Sequence, residues 1–100
     1  MPEETRLTVR DDPEASRFEA VDGTGAVAAV AVYQRLEDRV VFVHTEVDDA
    51  FEGQGVGSLL VRQALDSVRG EGLRVVAQCP FVKAWIERHP EYADLVHQPG

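Results

Sequence analysis

Apolar and polar residues alternate along the first half of the chain with the two-residue period of β-strands. Four such runs predict strands at Thr5–Arg10, Arg17–Val21, Ala26–Arg35 and Arg39–Val47. We expect Asp11-Asp12-Pro13 to break the first strand, because proline restricts the residue before it. Asp22-Gly23 predicts a hairpin turn. Four successive strands joined by short turns favour an antiparallel sheet.

From residue 55 onward the apolar residues recur at helical spacing. The stripe predicts a helix over Gly55–Arg69, which Gly70 and Gly72 end. A strand at Leu73–Gln78, a second helix at Phe81–His89 and a further helical turn at Glu91–Val96 follow. Trp85 is expected in the core or in a pocket wall, sharing an apolar face with Phe81 and Ala84. The order β-β-β-β-α-β-α predicts an α+β fold, a mostly antiparallel sheet of about five strands with helices packed on it.

The length and composition describe one acidic domain, which we place at residues 1–100. The net charge of −8 argues against a nucleic-acid partner, which would need a basic face. A single cysteine excludes a disulfide framework and a zinc site of several thiolates, and the three histidines have no zinc spacing, so no metal is expected. The N-terminal residues do not resemble a signal peptide, so we expect a cytoplasmic setting without a membrane partner.

The residues with the most chemical information run from His44 to Gly57, with the sequence HTEVDDAFEGQGVG. A strand there leads through a short acidic loop into a helix whose first turn holds Gly55 and Gly57. The start of a helix leaves four backbone N–H groups unpaired and carries about half a positive charge. Glycines let a ligand approach that backbone closely, so this segment predicts a site for an anion such as a pyrophosphate. The alternative is that Gly53 and Gly55 are only turn residues.

Three segments in order carry a resemblance to a known family. FEGQGVGSLLVRQAL resembles the acetyl-CoA-binding motif of the GNAT superfamily of N-acetyltransferases, Gln/Arg-x-x-Gly-x-Gly/Ala. HTEV, EGQGVG and QCPFVKAWIERHPEY together resemble the short stand-alone GNAT-like family, over nearly the whole chain. The resemblance implies a trimmed GNAT fold that keeps the core sheet and the site for acetyl-CoA.

The resemblance also implies where the cofactor lies. In the family, the fourth and fifth strands separate and the pantetheine arm of CoA occupies the gap. Carried over to this chain, the residues beside that arm are Glu46, Val47 and Asp48. Those around the pyrophosphate are Gln54, Gly55, Val56, Gly57 and Ser58, with the Ser58 hydroxyl as an added donor. Glu52 stands where the family usually has Arg or Gln, which predicts weaker CoA binding because like charges repel.

Acetyl transfer to an amine needs a group that takes a proton from the amine. Alternation places Val40, Phe42, His44 and Glu46 on one face of the fourth strand. His44 and Glu46 are therefore the candidate proton acceptor, or else His44 is a half-exposed residue that bonds across the sheet.

Cys79, the only thiol, follows the fifth strand. It is either a packing residue or a residue of the site, where it would act as an acid, a thiolate or an acyl acceptor. Larger GNAT enzymes use a tyrosine on the last helix to protonate the CoA sulfur. Here Ile86 lies near that place, and the chain has no asparagine for the usual additional contact.

These observations favour an acetyl-CoA-dependent N-acetyltransferase that acts on a primary amine. The acidic surface indicates a basic acceptor, either a small-molecule amine or a lysine side chain, and Asp48 and Asp49 form either a solvated turn or an attractor for it. The alternatives are a non-catalytic module that binds CoA or acyl-CoA and an interaction subunit without cofactor, against which Gly55 and Gly57 argue. We expect a monomer or a weak homodimer paired through an edge strand.

Overall fold

The computed structural model describes residues 7–97, which form five strands and two α-helices. The strands are β1 (Thr8–Asp12), β2 (Arg17–Val21), β3 (Val27–Arg35), β4 (Arg39–Val47) and β5 (Arg74–Ala77). The helices are α1 (Val56–Gly70) and α2 (Pro80–Arg88), and short 3₁₀ helices span Asp49–Phe51 and Pro90–Leu95. The predicted fold class and element order are confirmed.

The strands lie in the sheet in chain order, from β1 at one edge to β5 at the other. The first four are antiparallel, as predicted, whereas β5 runs parallel to β4 because α1 carries the chain back across the sheet. The outer side of β5 meets the end of the described chain, where the His97 N–H donates to the Val75 carbonyl at 2.8 Å.

The predicted end of the first strand is wrong. β1 continues through Asp11 and Asp12, which pair with Phe18 and Arg17 of β2, and its turn begins only at Pro13. The restriction that proline places on Asp12 disfavours helix but allows extended backbone, so it does not end a strand. The predicted start at Thr5 lies outside the described residues.

One face of the sheet is buried under the helices. The α1 stripe of Val56, Leu60, Val61, Ala64, Leu65 and Val68 packs into this core together with aromatic side chains of the sheet. Trp85 of α2 is fully buried, as predicted. Phe81, on the same predicted apolar face, is 40% exposed and lies outside the core.

A β-bulge in β4 changes which residues share a face. Phe42 lies opposite Tyr33 and His44 lies opposite Val32, so Val43 has no opposite residue on β3. Residues that lie opposite one another point to the same side of the sheet. Thr45 and Val47 therefore share the helix-covered face with Phe42.

The same bulge corrects the predicted face of the fourth strand. His44 and Glu46 do share a face, because their side chains are in contact. They do not share it with Val40 and Phe42, as simple alternation had predicted, since one extra residue reverses the alternation. The bulge thus turns His44 and Glu46 to the side of the sheet away from α1.

Candidate functional site

Strands β4 and β5 separate partway along their length. Their last paired residues are Phe42 and Ala77. The Phe42 carbonyl then accepts the N–H groups of both Gln78, at 3.0 Å, and Cys79, at 2.9 Å. Beyond this point the residues His44–Val47 pair with β3 on one side and, within residues 7–97, with no strand on the other. Unpaired backbone of this kind can take up an extended, amide-bearing ligand.

The loop between β4 and α1 ends in a glycine-rich turn. The Asp48 carboxylate accepts the Ala50 N–H at 2.9 Å and so caps the 3₁₀ helix that opens the loop. Gly55 is the N-cap of α1 with a left-handed φ of 75°, a conformation that glycine adopts at no steric cost. In the described part of the chain, no side chain caps α1, and its first turn has no acidic residue. The N–H groups there remain available to an anion.

A groove of about 370 Å³ opens in front of this helix start. Its lining includes five of the eight predicted cofactor residues: Val47, Gly55, Val56, Gly57 and Ser58. A left-handed glycine, an uncapped first turn and an adjacent free strand edge can take up an anionic group joined to an extended, amide-bearing arm. Glu52 also lines the groove and is exposed to solvent.

Gly57 lies in close contact with side chains of α2 and β4. A Cβ at this position would lie 2.7 Å from the Phe81 Cζ and 3.3 Å from the Val47 Cγ2. The ring of Phe81 thus covers the first turn of α1 from the side of α2. A larger residue at position 57 would have to displace this ring.

The remaining predicted cofactor residues lie elsewhere. Gln54 is exposed, and its side-chain amide donates to the Ala50 carbonyl at 3.4 Å. Glu46 and Asp48 line a second, smaller groove of about 140 Å³ between the ends of β3 and β4. Sequence reasoning missed Phe51 and Phe81 as lining residues of the first groove. The only signal for Phe81 was its place two residues after Cys79, at the start of the last helix.

The three candidate catalytic residues lie on opposite faces of β4. His44 Nε2 and Glu46 Oε2 are 2.8 Å apart on the side away from α1, and both side chains are exposed. Cys79 is buried on the helix side, with its Sγ 3.3 Å from the Thr45 Oγ1. The candidate site therefore contains two pairs of side chains in contact, His44–Glu46 on one face of β4 and Thr45–Cys79 on the other. An exposed contact such as His44–Glu46 contributes little to stability, at most about 1 kcal/mol.

Glu19 lies on the same face of the sheet as the His44–Glu46 pair. Its carboxylate accepts from Arg10 Nε at 2.9 Å and from Arg17 Nε at 2.6 Å, and only 2% of the side chain is exposed. Burial acts to raise the pKa of Glu19, but the hydrogen bonds from Arg17 and Arg10 outweigh it and leave that pKa below its ordinary value. The carboxylate is thus ionised and neutralised by its two partners at neutral pH.

Both tyrosines are engaged away from the groove. The Tyr33 hydroxyl donates to Asp11, and the Tyr92 hydroxyl donates to Asp66 at 2.8 Å. Burial, together with the neighbouring carboxylate, raises the pKa of each phenol. Neither phenol is placed to give a proton to a ligand in the gap between β4 and β5.

Between residues 7 and 97, no group of three His, Cys, Asp or Glu side chains is arranged to hold a metal ion. None of the helices in this range is long and apolar enough to cross a membrane.

Comparison with solved structures finds similar folds. A GCN5-like protein of Staphylococcus aureus, solved in solution by NMR, matches with a TM-score of 0.69 and 25% identity over 94% of this chain and 91% of that one. Ard1 from Thermoplasma volcanium matches with a TM-score of 0.54 and 25% identity over 67% of this chain and 45% of that one.

Comparison with curated proteins finds relatives called Protein NATD1. The Bos taurus protein is 36% identical over 63 residues, which are 62% of this chain and 56% of the relative. The Gallus gallus protein is 35% identical over 70 residues, 69% of this chain and 64% of the relative. The chain thus spans less than two thirds of the length of either relative. The family model described as GCN5-related N-acetyl-transferase matches residues 17–95. This chain therefore belongs to the GCN5-related N-acetyltransferase family.

Proposed function

We propose that this protein transfers an acetyl group from acetyl-CoA to a primary amine. The observation that carries the proposal is the separation of β4 from β5 after Phe42. It leaves a free strand edge whose last residue, Val47, lines the groove at the start of α1. A free strand edge next to an uncapped helix start suits a ligand with an extended amide arm and an anionic pyrophosphate. Membership of the acetyltransferase family supports the same reaction class.

The chain would hold the cofactor mainly through its backbone. The N–H groups of Val56, Gly57 and Ser58 are candidates for the phosphate oxygens, and the edge of Val43–Val47 is the candidate partner of the pantetheine arm. Acetyl-CoA, when bound, supplies an acetyl thioester that an amine can attack. Backbone donors let a chain with a net charge of −8 bind an anion without a basic patch.

His44 is the candidate proton acceptor. A carboxylate only accepts hydrogen bonds, so in the contact with Glu46 the hydrogen lies on His44 Nε2. The lone pair of the neutral ring is then on Nδ1, which can take a proton from the approaching ammonium group. Glu46 stabilises the imidazolium that results. An amine that has lost this proton is nucleophilic.

Cys79 is the candidate donor on the other side of β4. Its thiol is in contact with the Thr45 hydroxyl and is buried next to the end of β5. A sulfur leaving group needs a proton, and the two tyrosines are held by carboxylates elsewhere. The Thr45–Cys79 pair is therefore our candidate for the role that a tyrosine has in larger relatives.

A cationic acceptor fits the face of the sheet away from α1, where His44 and Glu46 lie. Glu46 and Asp48 line the smaller groove between the ends of β3 and β4, and the acidic chain as a whole attracts positive charge. This supports a small amine or a lysine side chain as the acceptor class.

The experiment has two stages. Acetyl-CoA at about 100 times its Kd should stabilise the protein by about 2.7 kcal/mol, which corresponds to a rise in Tm of about 10 °C or more. Release of free thiol with a panel of amines then measures turnover. His44→Gln should lower kcat about 100-fold and abolish the acidic limb of the pH profile. His97→Gln, with a histidine outside the site, is the matched control. An unchanged pH profile in His44→Gln refutes the role of His44.

A second candidate is a module that binds CoA or acyl-CoA without turnover. The engagement of Tyr33 and Tyr92 by carboxylates favours it, because it removes the usual acid of larger relatives. A rise in Tm with acetyl-CoA, combined with no thiol release for any amine, would identify this function.

A further inference from the structure

Ser58 is held by a side chain from the other helix. The indole Nε1–H of Trp85 donates to the Ser58 Oγ at 2.8 Å. A serine hydroxyl has one donor and two acceptor positions, whereas an indole N–H can only donate. The bond therefore occupies an acceptor position of Ser58 and leaves its hydrogen free for a partner in the groove that Ser58 lines.

The Trp85 ring is itself packed against three other side chains. The ring of His89 stacks on it with centroids 3.8 Å apart and planes 13° apart, and the guanidinium of Arg62 lies 5.4 Å from its centroid. The ring of Tyr92 meets it edge-on at 5.0 Å. His89 Nδ1 also lies 2.8 Å from the Trp85 carbonyl oxygen. A fully buried ring held in this way cannot turn its N–H away from Ser58.

We propose that Trp85 is a positioning residue for the anion site, because its indole N–H orients the Ser58 hydroxyl to donate to a phosphate oxygen of CoA. This inference rests on the proposed CoA site. Phosphate oxygens are acceptors only, so a hydroxyl that presented a lone pair to them would be repelled. By holding one lone pair of Ser58, Trp85 favours the orientation in which the hydroxyl donates. Helix α2 thus contributes to phosphate binding without touching the ligand.

The chain has one tryptophan, which allows a selective test. Biosynthetic replacement of tryptophan by 3-benzothienylalanine exchanges the indole N–H for sulfur and keeps the ring shape. Calorimetry should then show CoA binding weakened about tenfold, as a lost charge-assisted hydrogen bond implies. Ser58→Ala should weaken it by a similar factor, and both changes together no further than Ser58→Ala alone. Acetylated pantetheine, which lacks the pyrophosphate, should bind equally well to every variant.

A control variant and three possible results separate a failure of this inference from a failure of the proposed function. Leu95→Val removes a methylene group from the same core, at a residue that does not line the groove, and should leave CoA affinity unchanged. If the benzothienyl protein binds CoA as tightly as the wild type, or loses pantetheine binding in equal measure, Trp85 has no positioning role. If Ser58→Ala binds CoA normally, the hydroxyl is not a donor and the inference fails while the CoA site stands. If the wild-type protein binds no CoA at all, the proposed function fails first.

Discussion

Replacing Gly57 by alanine should separate ligand binding from folding. Gly57 lies inside α1 at ordinary helical dihedrals, so alanine fits the backbone. The new Cβ would overlap the Phe81 Cζ at 2.7 Å and press on the Val47 Cγ2 at 3.3 Å. Phe81 is 40% exposed, so its ring can move outward into the groove. The methyl group and the displaced ring then occupy the space that a phosphate or pantetheine group would need.

The expected change in the free energy of unfolding is small. Alanine is favoured over glycine in a helix by about 0.5–1 kcal/mol. The shift of a half-exposed ring opposes this gain by a similar amount, so the net change should lie within about 1 kcal/mol. Binding should suffer more, because the loss of one backbone N–H contact to a charged ligand costs about 1.5–3 kcal/mol. The Kd for CoA should therefore rise about tenfold to a hundredfold.

Gly70→Ala provides the matched control. Gly70 is in the last turn of the same helix, and a Cβ there would meet nothing within 4 Å. Urea unfolding gives the stability of both variants, and calorimetry with CoA gives their Kd values. Gly70→Ala should bind like the wild type. The reasoning is refuted if Gly57→Ala binds CoA with unchanged affinity, or if its loss of binding matches a loss of folded protein.

Two further substitutions test the charges of Glu52 and Glu19. Glu52→Arg should tighten CoA binding about fivefold at low salt, since about 1 kcal/mol separates a repulsive from an attractive charge in the groove. Calorimetry should show no such gain for the control Glu37→Arg, in the distant β3–β4 turn. Equal CoA affinities of Glu52→Arg and the wild type would contradict this. Glu19→Gln should cost about 1–3 kcal/mol of unfolding free energy at pH 7 by weakening the bonds to Arg10 and Arg17. The folded pKa of Glu19 is depressed, so its contribution is present above the ordinary 4.5 and is lost as pH falls through the folded value. Urea unfolding at pH 7 and pH 3 should thus show a difference that shrinks in acid, and a constant difference would speak against the ion pairs.

Local patterns in the sequence sufficed for most of the fold. The alternation at Arg17–Val21 and at Arg39–Val47 predicts both strands with the bounds that the structure has. The α1 stripe and the glycines before it predict where the helix begins, within one residue of Val56. These features depend on neighbours in the chain, which is why they can be read without knowledge of the tertiary structure.

The arrangement of the site depends on pairs of residues that are distant in the chain. The bulge at Val43 is defined by the register of β4 against β3, and no turn residue or glycine marks it in the sequence. The bond from Trp85 to Ser58 joins residues 27 positions apart, so helical periodicity shows only that Trp85 is apolar and buried. Periodicity likewise places Phe81 on the apolar face of α2 but does not show that it is 40% exposed, because a helix near a groove can expose an aromatic side chain that would otherwise face the core.

The bulge in β4 lets the two halves of one strand vary independently. Residues up to Phe42 must keep the volumes that the core packing needs, whereas His44 and Glu46 face outward and can be exchanged without touching the helices. A substitution of His44 would therefore alter the chemistry of the face away from α1 and leave the packing of the core intact. Deletion of Val43 would remove the bulge and keep these faces, because Phe42 and His44 already lie opposite the adjacent residues Tyr33 and Val32. In this strand the register against β3, and not the count of residues alone, decides which side chains face the helices.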